Sequence, residues 1–261
     1  MITLATVQAE AVRDTAANLD KVIRFSEEAA AAKAAAVCFP EAFLTGYFPE
    51  DAVSTAISAD CTLLDEVKYT AKRLNIDILV GFFERFDDEL FITHGVFRPD
   101  GKSFLYRKTH LGEKESRIFS AGRSLDLFEL SCGIKIGFQL CVETHFPRIT
   151  ETLSLKGAQV IFAPHAVPAA AGSRKTVWGK YIPARSYDNR VYFACCNHSG
   201  EYFGGGCMIT APNGDIIASD FDSSEALVTF DADIGLLSKY RIGGSHRFRY
   251  YPRLLKGDIC L

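Results

Sequence analysis

The chain has 261 residues, with 29 lysines and arginines against 32 aspartates and glutamates, for a formal charge of −3. This near-neutral balance lacks the basic face that phosphate binding needs, so nucleic acid is not an expected partner. The longest apolar runs fall far short of the roughly 20 residues of a membrane span, and the length is ample for a well-buried core, so neither a membrane nor stabilising disulfides or metal are expected.

The opening residues Ile2–Gln8 alternate apolar and polar side chains, without a basic leader or small-residue cleavage site. They read as a strand, and the chain as cytoplasmic. Residues 18–33 follow, with Leu19, Val22, Ile23 and Ala30 on one side and Lys21, Arg24, Glu27 and Glu28 elsewhere, the pattern of an amphipathic helix lying on a sheet. Further strands are expected at 36–40, 76–83, 90–97, 104–106, 134–140, 159–163, 191–196, 206–210 and 226–230, all rich in Val, Ile, Phe and Tyr. Shorter helices are expected at 64–74, 148–155 and 177–189. Turn residues at 86–89, 99–102 and 212–215 make hairpins of the strands beside them.

Hairpins mixed with helix-linked strands argue against a doubly wound sheet covered on both faces. A sheet with helices on one face must bury the other, and a second such sheet would serve. The expected fold is α/β, a four-layer α-β-β-α sandwich of two mixed sheets, in one domain over 1–261. The eight cysteines have no regular spacing, no CxxC pair occurs, and no histidine joins a cysteine at metal-ligand spacing. Each thiol reads as a reduced, buried small side chain, and no metal is expected.

Three of these strands end in a reactive group: 36–40 in Glu41, 104–106 just ahead of Lys108, and 134–140 in Cys141. Taken singly, the commoner roles are a turn acid, a solvated edge charge and one more buried thiol. Together they supply a proton acceptor, a fixed cation and a nucleophile. His110, His145, His165 and His198 also stand open as bases for a cysteine, and spacing selects none of them.

The segments Phe39-Pro40-Glu41-Ala42-Phe43-Leu44-Thr45-Gly46-Tyr47, Tyr106-Arg107-Lys108-Thr109-His110-Leu111 and Gly137-Phe138-Gln139-Leu140-Cys141-Val142-Glu143-Thr144-His145-Phe146-Pro147 resemble, in order, the motifs of the nitrilase superfamily of carbon–nitrogen hydrolases. The likeness runs across nearly the whole chain, through residues 184–192 leading to Asn197 and the late turn at 204–214. It implies the same α-β-β-α sandwich, with Cys141 as nucleophile, Glu41 as general base, Lys108 as the cation on the tetrahedral intermediate and no cofactor. It also implies a second glutamate, matched best by Glu115 with Glu113 as the close competitor. Tyr47, Val142, Glu143, His165 and Val167 are expected to line the substrate pocket by motif position.

The implied reaction is hydrolysis, by water, of a small amide or N-carbamoyl compound through a cysteine thioester. A nitrile substrate is the alternative, because Glu143 is reminiscent of nitrile-hydrolysing members, whereas the short 108–122 segment is similar to the amidase and N-carbamoyl branches. A non-catalytic member binding a ligand or partner protein is the rival from another class. Family members suggest a homodimer or larger homo-oligomer, with the basic, aromatic residues 246–252 crossing to a neighbour.

Overall fold

The structure, a computed structural model, describes residues 1–243, so residues 246–252 and their expected contact with a neighbouring subunit lie outside the described residues. The strands are β1 (Ile2–Gln8), β2 (Ala36–Cys38), β3 (Asp77–Phe86), β4 (Glu89–Phe97), β5 (Ser103–Arg107), β6 (Phe128–Glu129), β7 (Lys135–Phe138), β8 (Val160–His165), β9 (Tyr192–Asn197), β10 (Cys207–Thr210), β11 (Ile216–Asp220) and β12 (Ala226–Ala232). The helices are α1 (Thr15–Ala31), α2 (Ala52–Thr55), α3 (Thr62–Leu74), α4 (Pro147–Lys156), α5 (Arg174–Asn189), α6 (Gly200–Phe203) and α7 (Ile234–Gly243).

They form two six-stranded sheets, ordered β12-β1-β2-β3-β4-β5 and β11-β10-β9-β8-β7-β6. The first sheet pairs β1, β2 and β3 in parallel, and the second pairs β7, β8 and β9 in parallel. The outer ladders of both are antiparallel.

Alternation along each strand sorts side chains between layers. Leu4, Cys38, Leu79, Phe162, Ala194 and Ile209 enter the core between the sheets. Their neighbours Ala5, Val37 and Ile78 pack under α1 and α3, while Ile161, Phe193 and Met208 pack under α4 and α5. The four layers expected from the sequence are therefore present.

Local chemistry fixes the helix ends. Asp14 caps α1, its carboxylate accepting the N–H of Ala16 at 2.9 Å and of Ala17 at 3.3 Å, so the helix starts three residues before the expected 18. Lys33 has a φ of 61°, outside a right-handed helix. Pro147 opens α4, and Gly157, at φ 111°, closes it.

Candidate active site

Because β4 is antiparallel to both β3 and β5, β5 runs in the same direction as β2 and β3. The chain leaving β2 toward Glu41 and the chain leaving β5 at Lys108 therefore emerge from the same end of the first sheet. Cys141 follows β7 of the second sheet. The sheets meet at this end, where the Glu41 N–H donates to the carbonyl of His165 at 3.4 Å.

Two of these positions need unusual backbone. Ala42, just after Glu41, has φ 49°, and Cys141 has φ 46°, a left-handed conformation that costs a non-glycine residue and that surrounding structure must hold. At Cys141 that hold is visible: the Thr144 hydroxyl donates to the Cys141 carbonyl at 2.7 Å, with the Tyr181 hydroxyl 3.1 Å from the Thr144 oxygen. At Ala42 space is provided by Gly81, where a Cβ would stand 2.5 Å from the Ala42 nitrogen.

Glu41 and Lys108 are buried, and the Lys108 ammonium donates at 2.7 Å to Oε1 of Glu41 and at 2.7 Å to Oε1 of Glu115. Glu115 also accepts the Tyr47 hydroxyl at 2.5 Å and the Gly112 N–H at 2.6 Å. Of the two candidate second glutamates the structure brings Glu115 into the cluster. Glu113 stays on the surface, paired with Arg117 at 2.8 Å. Cys141 is half-buried and within electrostatic range of Glu41, Lys108 and Glu115.

The cation is shared unequally. Burial raises the Glu41 carboxyl to about 7, Lys108 opposing it while the nearby charges of Glu115 and Glu143 add to it. Oε2 of Glu41 is buried and has no hydrogen-bond partner among the described residues. Burial also works against ionisation of Glu115, but Lys108, Tyr47 and Gly112 together hold it below the ordinary carboxylate value. Lys108 loses by burial and gains more from Glu41, Cys141 and Glu115, so it lies above the usual lysine range. Burial and Glu41 push the Cys141 thiol up to about 12, against Lys108 and the Ala166 N–H. At rest the cysteine is therefore a thiol, in electrostatic range of a carboxylate that is readily protonated.

The histidines are engaged elsewhere in the structure. Burial lowers His165 to about 3 and His198 to about 4, so both are neutral and act as donors: His165 Nδ1 to the Ala163 carbonyl at 2.7 Å, His198 Nε2 to the Glu41 carbonyl at 2.7 Å. His145 stacks on Tyr181, with ring centroids 5.2 Å apart, and His110 on Phe146 at 4.9 Å.

A cavity of about 700 Å³ reaches the cluster at Tyr47, Glu115 and Ala166, and is lined further out by Phe48, Ile118, Pro168, Tyr202 and Phe203. Tyr47 is one of the residues lining it. His165 and Val167 do not line this cavity; their neighbours Ala166 and Pro168 do. His165 turns inward onto Trp178, with ring centroids 4.7 Å apart, and the Val167 backbone is pinned by the Asn197 amide at 2.9 and 3.0 Å. Val142 is half-buried and follows Cys141 in the chain. Glu143 is buried with both oxygens hydrogen-bonded to the protein, leaving none for a substrate. Sequence reading missed Thr144 and Asn197 as braces of the site. Asn197 ends β9 and Thr144 follows Cys141 by three residues, and those placements are their only sequence signal.

Two stacked sheets thus bring a thiol, two carboxylates and an ammonium to one end. The chain belongs to the carbon–nitrogen hydrolase family, whose model, Carbon-nitrogen hydrolase, matches residues 3–242. A hydrolase in the pqqF 5′ region of Pseudomonas protegens is 32% identical, over 91% of this chain and 83% of its own length. The omega-amidase NIT2 of Danio rerio is 30% identical, over 91% of this chain and 90% of its own. An amidase from Nesterenkonia sp. shares the fold with a TM-score of 0.81 at 21% identity, covering 99% of this chain and 96% of its own.

Proposed function

We propose that the protein hydrolyses the C–N bond of a small amide or N-carbamoyl compound through a thioester on Cys141. The observation that carries this reading is the unpartnered Oε2 of Glu41, on a carboxylate whose other oxygen is fixed by Lys108, beside the thiol. Oε2 takes the Cys141 proton as sulfur attacks the carbonyl carbon. The oxyanion forms against the Lys108 ammonium and the N–H of Val142. When the C–N bond breaks, Glu41 returns the proton to the leaving nitrogen. It then removes a proton from water, which hydrolyses the thioester to the acid and restores the thiol. Glu115, held by Tyr47 and Gly112, steadies Lys108. These residues supply every proton transfer, so the mechanism calls on no cofactor.

Relatives acting on amides support the choice of substrate, and the outer cavity, lined by Phe48, Ile118 and Tyr202 together with the charged Arg13, Glu50 and Lys114, has room for an acyl group larger than acetyl. The sequence cue for a nitrile was Glu143, which is fully engaged within the protein, so no nitrile reading is carried separately. No described helix is long and apolar enough to cross a membrane. One domain over 1–261, a cytoplasmic location and a homo-oligomer complete the proposal, supported by the family resemblance and, for the domain, by the family match over 3–242.

The test is ammonia release from a panel of short amides, ω-amides, N-carbamoyl compounds and nitriles, with hydroxylamine added to trap the acyl group. Release from an amide or N-carbamoyl compound, acyl hydroxamate formation, and loss of both in a folded Cys141→Ala variant are expected. Turnover surviving Cys141→Ala would overturn the proposal.

A further inference from the structure

A third buried carboxylate lies two residues from the nucleophile and takes no part in the steps above. Glu143 is 0% exposed. Its Oε1 accepts the Tyr106 hydroxyl at 2.8 Å, the Thr109 N–H at 2.8 Å, the Thr109 hydroxyl at 2.6 Å and the His110 N–H at 3.2 Å. Its Oε2 accepts the Leu140 N–H at 2.7 Å. The first four donors come from β5 and the turn that follows it, in the first sheet. The fifth comes from the chain leaving β7, in the second sheet. Its only ion-pair contact among the described residues is His110 Nδ1, at 4.0 Å and largely exposed.

An anion buried on directed donors is held in the one orientation that satisfies them. Thr109 immediately follows Lys108 and Leu140 immediately precedes Cys141, so one carboxylate grips the neighbour of each. We propose that Glu143 is a positioning residue that fastens the lysine-bearing strand of one sheet to the cysteine-bearing strand of the other, setting where the Lys108 ammonium stands relative to the Cys141 sulfur. The inference rests on the roles given to those two residues above, and it replaces the substrate contact expected for Glu143 from its sequence position.

Glu143→Gln keeps the size but turns one acceptor into a donor, which must then face either the Leu140 N–H or the four donors opposite. Thr109→Val removes a single hydroxyl. With an amide substrate, kcat should fall about tenfold or more in Glu143→Gln and less in Thr109→Val, with KM within about threefold. Glu143→Asp, which keeps the charge, should recover part of the loss. The rate of Cys141 alkylation by iodoacetamide, read by intact mass, should slow in the same order. A purely structural part would lower Tm and leave the alkylation rate of the folded protein unchanged.

Parental kcat and alkylation in folded Glu143→Gln would overturn the proposal, as would a raised KM at intact kcat. If Glu143→Gln does not fold, Thr109→Val decides, and parental kcat and alkylation there overturn it. Failure of the amide reading shows differently: the parent itself would release no ammonia from any amide, while alkylation would still report on the geometry.

Discussion

One ammonium serves two carboxylates at the centre of this site, and the difference between them decides which acts as base. Glu115 has two donors besides Lys108, whereas Glu41 has Lys108 on one oxygen and, among the described residues, no donor on the other. The proton therefore settles more easily on Glu41, whose carboxyl burial raises to about 7. A base works only when ionised, so kcat/KM should rise with pH through an apparent value near 7 that belongs to the coupled cluster. In Lys108→Ala the opposing influence is gone, and burial and Glu115 act unopposed. The acid limb should then move to higher pH while the optimum rate falls by about 10²–10³ or more, as for loss of an oxyanion donor. A pH–rate series on both proteins checks this, and an unmoved limb would place Lys108 away from Glu41. At this scale the proposed reactive residues could be picked out because each follows an apolar run. The pocket wall was less so: at the end of β8 a shift of one residue exchanges the faces, putting His165 in the core and Ala166 at the cavity.

At the scale of elements, strands with long apolar runs and hairpins with strong turn residues were readable. β1 was expected at Ile2–Gln8 and occurs there, and the turns near 87, 100 and 213 separate paired strands. Two edge strands were not legible. β6 has only two residues, too few for a period, and β11 (Ile216–Asp220) is solvated along its length, with Ile216 and Ile217 49% and 44% exposed. The sequence also gave no sign of how closely loops approach the strand ends. At Gly122 a Cβ would stand 2.1 Å from the Arg107 carbonyl oxygen, while the Gly122 N–H donates to the Lys108 carbonyl at 2.8 Å. The obstacle is backbone and has no rotamer in which to yield. Gly122→Ala should cost about 1–3 kcal/mol of stability by overpacking and should also lower kcat, since the strain falls on the chain carrying Lys108. Gly179, on the exposed face of α5 with nothing within 4 Å of a Cβ, is the contrast: Gly179→Ala should stabilise by up to about 1 kcal/mol with kcat unaltered. Thermal unfolding and kcat on the pair test this together.

Over the whole molecule, Glu41 and Lys108 come from one sheet and Cys141 from the other, so the site is only as well set as the contact between sheets. Phe138 sits in that contact, its ring centroid 4.8 Å from His94, 5.8 Å from Tyr106 and 5.7 Å from Phe128. It lies three residues before Cys141 and touches the residue two before Lys108. Leu64 is buried equally deeply, but between α3 and the outer face of the first sheet. Phe138→Ala and Leu64→Ala should each cost about 2–5 kcal/mol, because each removes packed apolar volume that the surroundings refill only in part. Their effects on catalysis should differ. Assayed at a temperature where both remain folded, Leu64→Ala should keep its kcat, and Phe138→Ala should lose kcat with little change in KM, since the sheets can then shift and carry the ammonium away from the sulfur. Equal kcat losses would mean that the outer helical layer sets the site as much as the inter-sheet core does.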